Sequence, residues 1–336
     1  MSLLHRNGPI PYGPIGAILE PTAMLERHLL LGAHGFTETL PRINRSAWLA
    51  WTLLMWSMVG GGYAQTPQTI NIIAVTNSAD FQPGLPQPGS LASVFTTGLV
   101  GGLGVIWPAD FLLSNELNGT SVWIDSLPAP ILGIAFLDGY QQINVQVPWE
   151  AVGKNMDVEV AQNGISGHTD SDEVGSKLFY VSVFSVDGNG YGIVQHASDY
   201  SLVTAEAPAH SGEYLIAYGI NLGPVSNQPP TGTPSRFSPL AVSIPVPPVC
   251  RMSDSIRWGG TDRPPFAESP ALFVGLTPGS VGVYQVNFRV PTSLPAGDIP
   301  ISIVRNLAEN YTRCPGSGLG TDLLTQQGRP VLLPLQ

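Results

Sequence analysis

The residues best placed to do chemistry are amides and indoles, not acids and bases. Gln142, Asn144 and Gln146 alternate with Ile143, Val145 and Val147, which puts three amides on one side of an extended chain. Such a row can hydrogen-bond a sugar or a partner strand, or it can satisfy buried groups of its own domain. Four tryptophans, Trp107, Trp123, Trp149 and Trp258, could stack on sugar rings or anchor a protein interface. Trp123 sits in an alternating stretch and is expected in a core. Trp258, in a long proline-flanked segment with Arg251, Arg257 and Arg263, is the leading candidate of the four for a surface anchor. The candidate binding surface is therefore Trp258, Arg257, Arg263, Gln142 and Asn144.

The usual catalytic and metal patterns fail on spacing. In Asp187–Gly192, the fifth and twelfth places of a calcium loop would be Tyr191 and Ser198, which cannot supply the required carboxylates, so a β-turn is expected. His168–Glu173 is an acidic cluster with one histidine and reads as a solvated interdomain loop. No Gly-x-Ser-x-Gly elbow stands between a strand and a helix. His196 and His210 have no carboxylate whose position the spacing fixes. No catalytic residue, cofactor or metal is assigned.

These side chains need a scaffold, and the scaffold is legible in an internal repeat. Gly139–Trp149 reappears as Gly282–Thr292, with the same Gln-apolar-Asn-apolar-polar-Val-Pro order. Period-two alternation ended by proline is a half-buried strand. Gln195–Tyr200 echoes Thr76–Phe81, Gly212–Gly219 echoes Gly89–Phe95, and Ala271–Val274 is matched to Pro130–Gly133. Charged residues are only 11% of the 336, while 38 Gly and 32 Pro make up about a fifth; a usual share of Gly plus Pro is roughly 12%. With 43% hydrophobic residues, this composition describes short strands joined by tight turns, not disorder. The expected fold is all-β: two tandem immunoglobulin-like β-sandwich domains at 68–175 and 176–336. A net charge of −10 without a basic cluster argues against nucleic acid as a partner.

Arg42 and Arg45 precede an uncharged apolar run at 46–59, and small residues then lead to Ala64. Positive flank, apolar core and small-residue exit are the parts of a secretory signal, with cleavage expected after Ala64. Residues 1–64 are thus expected to be an N-terminal extension and signal peptide, with a start assigned too early. The run falls short of the about 20 residues that span a bilayer, so the membrane is contacted only if the signal stays uncleaved. The expected location is secreted, periplasmic or cell-surface. In that oxidising setting Cys250 and Cys314 are expected to form a disulfide. Its loop of about 64 residues would contribute roughly 4 kcal/mol in the chain-entropy treatment.

Several motifs in order resemble a known bacterial module. They are Asn77–Pro83, Pro88–Phe95, Pro128–Pro130 and Gln142–Trp149, then Gly219–Val225, Val274–Gly279, Tyr284–Pro291 and Leu294–Pro300. Over about 70–335 the chain resembles the Solibacter-type uncharacterised C-terminal domain of exported acidobacterial proteins. The resemblance implies immunoglobulin-like modules and carries over no catalytic residue. The Cys250–Arg263 stretch looks like an insertion in that pattern. The reading is an exported, non-enzymatic binding or structural module whose partner is a protein or a glycan at the cell surface. The alternative is a carbohydrate-binding module tied to polymer degradation.

Overall fold

The computed structural model describes residues 68–151, 157–169, 181–186, 190–244, 252–259, 266–307 and 325–336. The signal segment with Ala64, Arg263, Cys250 and Cys314 lie outside the described residues, as does most of the His168–Glu173 cluster. Every regular element described is a strand, and the fold is all-β, two tandem β-sandwiches.

In the first sandwich one sheet runs Asn71–Asn77, Leu91–Thr97, Tyr140–Gln146, Ile131–Leu137 and Gly104–Ile106 in spatial order. The other runs Ile165–His168, Val158–Gln162, Thr120–Ile124 and Glu116–Leu117. Alternation explains the core between them. Val122, Ile124, Val158 and Val160 point inward from one sheet and meet Val94, Ile134, Ile143 and Val145 from the other. Trp123 alternates the other way: it is half-buried on the outer side of its strand and stays out of that core, contrary to expectation.

The second sandwich closes through long strands. Ala267–Leu276 pairs with Tyr284–Arg289 by its second half and with Met252–Trp258 by its first half, so one strand turns the corner between two layers. Gly297–Leu307 then pairs with Met252–Trp258 and Val331–Leu335. Tyr284 and Tyr218 are buried in this half. The Tyr284 hydroxyl donates to the Gly223 carbonyl, and the Tyr218 hydroxyl donates to Gln195 Oε1 at 2.6 Å. Burial holds both phenols above the ordinary value of 10.0, because a phenolate would lose its hydration. A raised folded value means that stability is fully present below about pH 10 and falls as pH climbs toward the folded values. On alkaline titration the last part of the phenolate absorbance, from this buried pair, is expected to appear only as strand circular dichroism is lost. Ionisation of every tyrosine while the strand signal stays intact would contradict this.

The repeat is reproduced atom by atom. Phe81 and Tyr200 both sit at positive φ (55° and 63°), an unusual conformation for an aromatic residue. Their amides donate to the carbonyls of Asn77 and His196. The following amides, of Gln82 and Ser201, donate to Asp80 and Asp199. A bulge falls between Ile131 and Gly133 in one copy and between Ala271 and Phe273 in the other, opposite Asn144 and Asn287. That register equates Leu132 with Leu272, one residue away from the match suggested by the letters.

The two sandwiches are welded. Leu91 and Ala79 of the first share a core cluster with Phe184, Ile220 and Val283 of the second. Gly282, at φ 68°, packs so closely that a side chain there would begin 2.5 Å from Leu91 Cδ2. The Asn221 amide donates to Ser90 Oγ at 3.1 Å, and Asn221 Oδ1 accepts from the Gln87 amide at 2.9 Å. The proline-rich connection near 226–239 reaches back as a clamp. The Gly232 amide donates to Gln146 Oε1 (2.7 Å), and the Gly232 carbonyl accepts from the Leu113 amide (3.0 Å).

Candidate functional site

The amide row is internal. Gln142, Asn144 and Gln146 are all buried, so Gln142 and Asn144 are corrected as candidates for a binding surface and the row serves the fold. Asn144 Oδ1 accepts from Gln142 Nε2 at 2.9 Å and from Ser93 Oγ at 2.8 Å, and Ser93 Oγ lies 3.0 Å from Ser78 Oγ. Gln146 Nε2 donates to the Gly89 carbonyl at 3.1 Å. The physical reason is that the outer side of this sheet is covered. Phe81, Phe95 and Tyr140 cluster at one end, Trp107 lies over Gly133, and the second sandwich covers the Leu91 end. Amides without water must partner one another, and a row so engaged offers nothing to a sugar.

The indole expectation is corrected too. Trp258 is 0% exposed and belongs to a strand, Met252–Trp258, instead of a loop. Its Nε1 donates to Ser269 Oγ at 2.9 Å, and its ring meets Phe288 edge-on at 5.7 Å. Alternation along that strand leaves Arg257 half-buried on the opposite side. Trp149 is also buried, within the second core cluster and against Gly89.

His196 is buried, with Nδ1 2.6 Å from Glu213 Oε1 and Nε2 3.1 Å from the Ala207 carbonyl. Both ring nitrogens face acceptors belonging to the fold. Glu213 also accepts from the His210 amide, which makes the trio a loop tie. Tyr191 pairs in a short strand and donates its hydroxyl to Asp298 Oδ2 at 2.6 Å. Among the described residues no three His, Cys, Asp or Glu side chains gather as metal ligands.

What remains is a surface of which only Trp107 stood out in the sequence. Val100 (57% exposed), Leu103 (81%), Val105 (37%), Trp107 (36%), Phe111 (65%) and Leu112 (63%) are all exposed along one stretch of chain, an apolar strip in sequence. It is held rigidly at its root. The amides of Leu99 and Val100 donate to Gln141 Oε1 (3.2 Å) and Gln162 Oε1 (2.7 Å), and Gln162 Nε2 donates back to the Val100 carbonyl at 3.0 Å. Gly104–Ile106 then joins the sheet as its edge strand, against Ile134–Phe136. At the far end Leu113 is tied to the Gly232 clamp. The clue in the sequence is that positions 98–114 carry a single charge, Asp110, and lack strand alternation.

No family model matches the chain, and no curated protein matches it. Among solved structures, the tandem Ig repeats of Dlar are similar at 10% identity. The match covers 80% of this chain and 98% of that one, with a TM-score of 0.18.

Proposed function

We propose that the protein is an exported, non-enzymatic interaction module that binds a protein partner through the strip from Val100 to Leu112. The observation that carries this reading is six large apolar side chains exposed in one continuous segment beside a sheet edge. Exposed apolar patches of this kind mark protein contacts, and an edge strand adds unpaired backbone groups that a partner strand can use. A protein is favoured over a glycan because the amides that would read sugar hydroxyls are spent inside the fold. Export rests on the apolar run at 46–59, and the family resemblance points the same way.

The test places a photo-activatable residue at position 111 of the full chain and exposes it to intact cells of the source. A discrete protein adduct is expected, falling about tenfold or more in the Leu103→Asp variant, as for an interface anchor. At 81% exposure that substitution leaves the fold intact. Adducts that survive Leu103→Asp undiminished, or a glycan panel giving binding insensitive to the same change, would remove the strip as the site.

A further inference from the structure

The junction inside the chain joins two different surfaces, and each occurs twice. The receiving surface, on the first sandwich, is built on Gly89, Leu91, Leu132 and Gln146. The same frame stands on the second sandwich as Gly212, Tyr214, Leu272 and Arg289. Gly89 and Gly212 share a left-handed backbone (φ 83° and 80°). Their amides donate to the carbonyls of Val147 (2.8 Å) and Val290 (3.0 Å). Their carbonyls accept from Gln146 Nε2 (3.1 Å) and Arg289 Nε (2.8 Å). Leu132 and Leu272 occupy the same bulge.

Among the described residues only the first copy of this surface is covered. Leu91 is 0% exposed beneath the second sandwich, whereas Tyr214 is 53% and Leu272 is 47% exposed. The Arg289 guanidinium lies 5.7 Å from the centre of the Tyr214 ring.

The inserting surface has the opposite imbalance. On the second sandwich it is the Gly282 turn, pressed against Leu91, with the connection after Ile220 clamping the first sandwich. The corresponding turn on the first sandwich is shorter, 138–139 against 277–283, and holds Gly139, also at positive φ (93°), with nothing within 4 Å of where its side chain would start. The equivalent connection contains the exposed Val100 and Leu103. Among the described residues, one end of the pair of sandwiches therefore carries a receiving surface with no occupant, and the other an inserting surface with none.

We propose that these two surfaces bind one another between copies. The Gly139 turn of one chain, with Val100 and Leu103 beside it, docks on the Tyr214–Leu272–Arg289 face of a second copy, head to tail. This deepens the preceding reading and rests on it for the contact role of Val100 and Leu103, while naming the partner. The exposed Asp138 next to Gly139 supplies a charge opposite to Arg289. Tyr and Arg are the residue types that anchor interfaces. A head-to-tail contact does not close on itself unless the rotation returns, so the assembly grows as a filament or a ring.

Sedimentation velocity of the full chain over a concentration series tests this. Mass should rise with concentration, and Leu272→Glu or Asp138→Arg should each weaken association about tenfold or more. Each variant keeps one intact surface, so an equal mixture should form one-to-one dimers and nothing longer. A monomer at every concentration overturns the proposal, as does association that neither substitution reduces. A mixture that fails to dimerise while each variant is itself impaired points to a symmetric contact and also overturns it. If a different protein is cross-linked at position 111 and the chain stays monomeric, the binding strip stands and only self-docking falls.

Discussion

Replacing Trp258 with alanine will lower the stability of the protein by about 3–5 kcal/mol, the range for emptying a large buried aromatic site. The indole is fully enclosed, its ring edge rests on Phe288, and its Nε1 is the partner of the buried Ser269 hydroxyl. Alanine leaves a cavity and strips that hydroxyl of its donor. Trp258→Phe refills most of the volume and loses only the hydrogen bond, so its cost should be nearer about 1–2 kcal/mol. Denaturant unfolding of the two variants separates the contributions. An alanine variant within about 0.5 kcal/mol of the parent would return Trp258 to the surface, since exposed substitutions behave that way.

Asp254→Ala is expected to cost about 3–5 kcal/mol, because it strands a buried guanidinium. Arg305 Nε meets Asp254 Oδ1 at 2.9 Å and Nη2 meets Oδ2 at 3.3 Å, with side-chain exposures of 4% and 13%. Nη2 also donates to Ser243 Oγ at 2.9 Å, and that hydroxyl donates to the Leu222 carbonyl at 2.6 Å. The pair thus ties two core strands to the segment that follows Ile220. Replacing Asp254 and Arg305 together with apolar residues of similar size should cost less than Asp254→Ala alone, since the unpaired charge disappears with its partner. A double-mutant cycle measures this directly. A single-variant loss below about 1 kcal/mol would describe a solvated surface pair instead.

Much of the fold was legible because β structure writes itself in local periods. Alternation at 120–124 and 140–146, proline stops at 148 and 291, and the glycine turns at 139 and 282 are short-range properties of the chain. The Asp-aromatic segments at 77–81 and 196–200 matched by letters and then by φ angle. The exact partner of Leu272 did not, because a bulge shifts pairing by one residue and leaves no mark in composition.

The sequence by itself determined that the chain makes strands, that it makes the same set twice, and which residues share a side of each strand. Only the tertiary structure decided which sides are wet. Period two says that Gln142 and Asn144 lie together, but burial comes from Trp107, Phe81, Phe95 and a second sandwich supplied from far along the chain. Trp258 looked like a loop residue until pairing with 267–270 and 301–307 enclosed it. The strip from Val100 to Leu112 is apolar yet exposed for the complementary reason: the edge strand at its centre has a neighbour on one side only. Local energetics set the direction of a side chain, and long-range packing sets what it meets.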